Sequence, residues 1–243
     1  MSNTQTCGLV AASYELVAQE YYDSERHPTC SNFREASLIL LRKWRVPILQ
    51  SRSICEVGPG RSLVAEFVLS ARGNLDRLVL VDESASMLAF SEKWGDAGAT
   101  LKIGSAFSLP LPSNAFDLVV SCLGDPYNAL SFWTEVRRVL IPGGTCLFTT
   151  PSFDWAHSFR KGGDVAAMDS ADFTLLDGTH VQLPSFILSP TEQARLIQSA
   201  GLTLEQESHT FVRDLQGLKI SPKLLAGRNQ DATVVTGYVA TKR

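Results

Sequence analysis

From Ser53 onward, short uninterrupted apolar runs alternate with segments whose apolar residues recur at three- and four-residue steps. The runs are Ile54–Val57, Leu78–Val81, Thr100–Ile103, Leu118–Cys122 and Thr145–Thr149, and helical patterns cover Leu63–Arg72, Ala85–Trp94 and Ser131–Leu140 between them. A strand with one wet face alternates polar and apolar residues. These runs do not alternate, so both faces of the strands are covered. Strand, helix, strand repeated in this way predicts an α/β fold: a mostly parallel sheet with helices on both faces. With 243 residues, 44 % of them apolar and 19 % charged, the chain has enough material for one sizeable core.

The flanks differ. Residues 8–24 carry a helical pattern through Leu9, Ala12, Leu16 and Val17, and residues 32–46 carry another through Phe33, Ala36, Leu40, Leu41 and Trp44. Pro47 is expected to close the second helix, and His27-Pro28-Thr29-Cys30 to form an irregular link. Residues 1–52 are therefore read as an N-terminal helical cap and 53–243 as the main domain. After Pro151 the rhythm breaks, and 152–188 is read as an insertion after the fifth strand that serves as a lid. Within it, Phe173–Leu176 and His180–Leu183 form a candidate hairpin across Asp177-Gly178. Ser189-Pro190-Thr191-Glu192 is a capping box that starts a helix, which Gly201 ends. Residues 203–213 and 232–241 are expected to be final strands, the last antiparallel.

Several classes of partner are disfavoured. The net charge is -3 with no basic stripe, which argues against a tightly held nucleic acid. No apolar stretch reaches the roughly 18 residues of a membrane span. The N-terminus lacks a basic start followed by an apolar run, so a cytoplasmic protein without a membrane partner is expected. The five cysteines, Cys7, Cys30, Cys55, Cys122 and Cys146, are scattered without CxxC spacing. Free thiols are expected, with no metal site.

The strongest chemical signal is Ile54-Cys55-Glu56-Val57-Gly58-Pro59-Gly60-Arg61-Ser62, an apolar strand running into a glycine turn that opens a helix. Gly58 and Gly60 let the backbone bend sharply and approach a ligand with no Cβ in the way. The turn lacks the G-K-[S/T] ending of a phosphate loop and the third glycine of a dinucleotide fingerprint. Glu56 would repel a pyrophosphate and suit an ammonium. The nicotinamide oxidoreductase reading is weaker for both reasons. At the end of the next strand, 22 residues after Gly60, stands Asp82, where a carboxylate can accept from both hydroxyls of a ribose.

In these segments the chain resembles the class I S-adenosylmethionine-dependent methyltransferase superfamily. Glu56-Val57-Gly58-Pro59-Gly60 is similar to its E/D-x-G-x-G motif, and Asp82-Glu83-Ser84 with Met87-Leu88 to its D-x-S-xx-M-L segment. Gly104-Ser105-Ala106-Phe107-Ser108-Leu109-Pro110 resembles its G-D-A-xx-L-P stretch. Phe116-Asp117-Leu118-Val119 and Arg137-Arg138-Val139-Leu140-Ile141-Pro142-Gly143-Gly144 resemble its fourth strand and the helix end after it. The resemblance spans 53–150 and implies a Rossmann-like fold with S-adenosylmethionine as cofactor. It implies that Glu56, Gly58 and Gly60 hold the methionine part, Asp82 the ribose, and Glu83 and Met87 the adenosine flanks. Ser105, Ala106 and Phe107 would meet the adenine edge, and Leu123 the floor. The family usually carries an acid where Ser105 stands; serine accepts a hydrogen bond more weakly. Residues 14–23, Tyr14-Glu15-Leu16 to Tyr22-Asp23, resemble the family's N-terminal helix, in which a tyrosine such as Tyr14 covers the cofactor.

Methyl transfer from a sulfonium is an in-line displacement, so the protein mainly aligns and desolvates. The acceptor side is expected after the fourth strand, where Asp125 is a candidate base and Tyr127 and Asn128 candidate substrate contacts. Asp125-Pro126-Tyr127-Asn128 is similar to the D-P-P-Y motif of nucleic-acid amino-methyltransferases, but lacks one proline and lies later after the strand. His27 and His157 are further candidate bases, and Tyr21 and Trp155 candidate walls. The leading expectation is methylation of an oxygen or nitrogen of a small molecule. A methyltransferase of nucleic acid or protein, and a regulatory subunit that binds cofactor without turnover, are the alternatives. Oligomeric state is not readable from these patterns.

Overall fold

The computed structural model describes residues 14–159, 170–225 and 229–243. The cysteine at position 7 and the part of the first helical pattern before residue 14 lie outside them. Helix α1 covers residues 14–21 and is followed by α2 (Pro28–Lys43) and α3 (Arg45–Gln50). The link expected at residues 27–30 is thus already helical from Pro28, which occupies the first helical position and needs no N–H there. Pro47 does not close a helix either. The break falls at Trp44, and Pro47 is the third residue of α3, a first-turn position whose N–H has no partner within the helix.

The main sheet contains β1 (Ile54–Val57), β2 (Leu78–Asp82), β3 (Thr100–Ile103), β4 (Phe116–Ser121) and β5 (Leu140–Pro151), all parallel. A separate hairpin follows, β6 (Ser170–Thr174) and β7 (His180–Pro184). It turns at Asp177-Gly178 with Gly178 at φ 85°, as the sequence predicts. The chain ends in β8 (Thr203–Phe211) and β9 (Thr233–Thr241). The order across the sheet is β3-β2-β1-β4-β5-β9-β8. The last strand, β9, runs antiparallel to both β5 and β8.

Every residue of β1 is buried, as is all of β4 except Asp117, which fits the continuous apolar runs. One core lies where α2, α3 and α4 (Leu63–Ser70) cover the sheet through Leu40, Ile48, Val64 and Phe67. The other lies under α7 (Leu130–Val139) and α9 (Pro190–Ser199), through Phe132, Trp133, Val136 and Ile197. The capping box at Ser189 and Glu192 is present. A third, small cluster of Val17, Phe173 and Leu183 joins α1 to the hairpin.

The single helix expected over residues 85–94 is two, α5 (Ala85–Ala89) and α6 (Glu92–Asp96). Ser91 interrupts them because its buried hydroxyl turns inward to the glycine turn. Beyond β5 lies α8 (Phe153–Phe159), and between the last two strands α10 (Pro222–Leu225).

Candidate functional site

The turn after β1 has Gly58 at φ 64° and Gly60 at φ 44°, a backbone that L side chains rarely adopt. Space is equally restrictive. A Cβ on Gly58 would lie 2.2 Å from the Tyr127 hydroxyl, and one on Gly60 2.2 Å from the Tyr22 hydroxyl. The turn is braced from β2: Gly58 N donates to Val81 O at 2.8 Å, and Gly60 N to Asp82 Oδ2 at 2.9 Å. The other Asp82 oxygen accepts from Ser84 N at 3.0 Å. Ser91 Oγ donates to Gly60 O at 2.5 Å and accepts from Ser62 N at 3.0 Å. The hydroxyl of Ser62, which caps α4, donates to Glu56 Oε2.

The carboxyl ends of β1, β2 and β4 converge here, where an open parallel sheet places its ligands. They border a cavity lined by Glu56, Gly58, Gly60, Asp82, Glu83, Met87, Ala106, Phe107 and Leu123, and roofed from the N-terminal helices by Tyr14, Tyr21, Tyr22 and Arg34. Glu56 and Asp82 are two carboxyls taken out of water beside one cavity. Burial lifts Glu56 to about 7. It lifts Asp82 to about 6, against the lowering effect of the Gly60 and Ser84 N–H groups.

A second cavity of about 720 Å³ adjoins the first, and Tyr14, Tyr21 and Leu123 line both. Leu123 sits at the junction in the left-handed region, φ 57°, with its N–H held by Thr149 Oγ1 at 2.9 Å. For a branched residue this backbone is strained, and such strain persists where surrounding contacts over-determine it. His27, Asp125 and Trp155 line the second cavity. Asp125 is buried and accepts from Ser185 Oγ at 2.6 Å. Trp155 Nε1 donates to Lys223 O at 3.1 Å, and its ring meets Phe33 edge-on.

Four candidates stand elsewhere. Ser105 does not line the first cavity; its hydroxyl accepts from Phe107 N at 3.3 Å and shapes the loop beside it. Tyr127 lines the first cavity rather than the second, donating to Val57 O at 2.7 Å. Asn128 lines neither. It is buried between Trp133 Nε1, Gln193 and Phe186 O, a network that fastens α7 to α9. His157 is exposed on α8 with its ring stacked on Phe153 at 5.5 Å.

Sequence reasoning missed Tyr22, Arg34 and Ser91. Tyr22 accepts from Arg61 N at 2.7 Å and lies under the Arg34 guanidinium, 4.9 Å away, while Arg34 donates to Arg61 O at 2.8 Å. Their local signals are ordinary: an aromatic just past α1 and a cation on α2, both remote from the glycine turn. A buried serine inside an apparent helix was the one clue to Ser91. Among the described residues, no group of three or more His, Cys, Asp or Glu could hold a metal, and no helix is long and apolar enough to cross a membrane.

Residues 55–148 match the family model described as "Methyltransferase domain". No curated protein matches. Among solved structures, the chain is similar to DhpI in complex with SAH, at TM-score 0.65 and 19 % identity, over 99 % of this chain and 98 % of that one. The DhpI-SAM-HEP complex gives TM-score 0.64 and 18 % identity, over 99 % of each chain. An S-adenosylmethionine-dependent methyltransferase from Mesorhizobium loti gives 0.58 and 16 %, over 86 % of this chain and 100 % of that one. Residues 55–148 are thus similar to the methyltransferase-domain family, and the fold is the Rossmann-like one shared with S-adenosylmethionine-dependent methyltransferases.

Proposed function

We propose that this chain moves the methyl group of S-adenosylmethionine to an oxygen or nitrogen of a small molecule. The observation that carries the reading is the pair of adjoining cavities meeting at Leu123, one beside the glycine turn and one enclosed by α1, α2, the hairpin and α8. The first fits the cofactor's parts. It offers Glu56 to an ammonium, Asp82 to a ribose diol, and apolar Met87 and Phe107 to a nucleobase. The cofactor would supply an electrophilic methyl on a cationic sulfur. The protein's own part is to bind, orient and exclude water, which for a displacement of this kind is most of the work. The second cavity is within the 300–1,000 Å³ typical of small-molecule sites.

Calorimetry with S-adenosylhomocysteine tests the cofactor half. Asp82→Ala removes two acceptors and strands the Gly60 and Ser84 N–H groups, so affinity should fall by about 30-fold or more, roughly 2 kcal/mol. Equal affinity in wild type and variant would refute the site. Labelled cofactor offered to metabolite, peptide, RNA and DNA pools tests the acceptor half. Labelled small metabolites support the reading, and label confined to peptide or nucleic acid overturns it.

A further inference from the structure

Residues 20–27 and the hairpin leave one histidine in an unusual state. His27 precedes α2, and its side chain is 13 % exposed. Its ring stacks on Phe173 of β6, with centroids 4.0 Å apart and planes 22° from parallel. Phe173 in turn stacks on Tyr21 at 6.2 Å. Nε2 is sealed from solvent and has no hydrogen-bond partner, while Glu20 Oε2 stands 4.0 Å away. Nδ1 has no hydrogen-bond partner among the described residues and is not sealed, and His27 lines the second cavity. Glu20 is itself held: Oε1 accepts from Leu176 N beyond β6 at 3.0 Å, and Arg26 pairs with Oε2.

A buried imidazole nitrogen with no partner is costly unless it has a task. The geometry is that of a ring aimed between a fixed carboxylate and an open cavity. A separation of 4.0 Å is too long for a hydrogen bond but close enough for strong charge attraction once the ring is protonated.

We propose that His27 is the base of the transfer reaction, that Glu20 is its positioning carboxylate, and that the acceptor is therefore a hydroxyl. The inference rests on the methyltransferase reading above. In the step, a lone pair of the hydroxyl oxygen forms the new bond to the methyl carbon. The carbon–sulfur bond breaks with its electron pair left on sulfur, and the hydroxyl proton passes to Nδ1. The imidazolium so formed turns Nε2–H toward Glu20, whose partly exposed carboxylate gives the charge a partner. The hairpin contributes through Leu176 N, which fixes Glu20. The charged groups around the ring are Glu20, Asp23 and Arg26 from the segment before α2, Asp172 beside Phe173 on β6, and Lys223 on α10. Burial and Arg26 favour the neutral ring, the form a base needs.

The test uses the full chain with S-adenosylhomocysteine bound, following the His27 ring by NMR across pH in wild type and Glu20→Gln. Loss of the carboxylate should lower the His27 pKa by about half a unit or more. An identical titration in the two proteins overturns the dyad. A panel of phenols, aliphatic alcohols and amines with labelled cofactor supplies the second readout. His27→Asn should cut transfer to hydroxyls about 100-fold and remove the acid limb of the pH–kcat profile, with S-adenosylhomocysteine affinity within about two-fold of wild type. An acid limb retained in His27→Asn, or transfer to amines alone, overturns the proposal. Failure of wild type to bind S-adenosylhomocysteine overturns the parent reading as well, so the two failures are separable.

Discussion

Glu56 and Asp82 are buried beside one turn, and their folded-state pKa values, about 7 and about 6, lie above the ordinary 4.5 and 3.8. An acid whose pKa is raised by folding binds more protons in the folded chain than in the unfolded one across that interval. Stability therefore falls as pH rises through it, and the loss is complete above the folded pKa. Without ligand, the melting temperature should drop between about pH 4 and pH 7, with Glu56 contributing on the order of 3 kcal/mol. Glu56→Gln should flatten that slope in calorimetry. A slope unchanged by the substitution would show that another group carries it. The same desolvation favours a cationic group beside these carboxyls, because an ammonium relieves it.

Among the elements, α1 and the β6–β7 hairpin stand apart. They meet through Val17, Phe173 and Leu183, a cluster separate from the two cores that sandwich the sheet. An element pair with so small a core opens more readily than the sheet does. Phe173 is 6 % exposed and touches the rings of both Tyr21 and His27. Phe173→Ala should cost about 3 kcal/mol locally. Hydrogen exchange should then lose protection in residues 14–21 and 170–184 and keep it in β1, β4 and β5. Equal loss in the sheet would show that these parts open together. α1 lines both cavities and the hairpin lines the second, so local opening of this pair would widen access to them.

For the whole molecule, the order β3-β2-β1-β4-β5-β9-β8 sets β1 between β2 and β4, so one crevice receives the ends of all three strands. A ligand seated there is held by several elements at once and should stabilise all of them. Binding to the folded chain alone, at about 100 times its dissociation constant, is worth about 2.7 kcal/mol. For a chain of this size that is a rise in melting temperature of roughly 5–10 °C. S-adenosylhomocysteine at that concentration should produce it in wild type, while Asp82→Ala at the same concentration should show little. A full rise in the variant would place the ligand elsewhere.

The parallel sheet, the glycine turn and the acid after β2 were readable because each depends on neighbours in sequence. An apolar run declares a doubly covered strand, and a bend that excludes Cβ must be glycine. Helix ends at Pro47 and Ser91 were misread because they were decided by distant partners: Trp44 packed on Gly237, and a serine hydroxyl captured by Gly60 O. The same reason hid Tyr22 and Arg34, and it set Asn128 outside both cavities, in a network with Gln193. The amino-acid order alone settles which backbone can bend and which carboxylate ends a strand. Which side chains roof that bend, and which histidine is left facing a carboxylate across 4.0 Å, depends on residues far apart in the chain, whose contacts exist only once the helices close over the sheet.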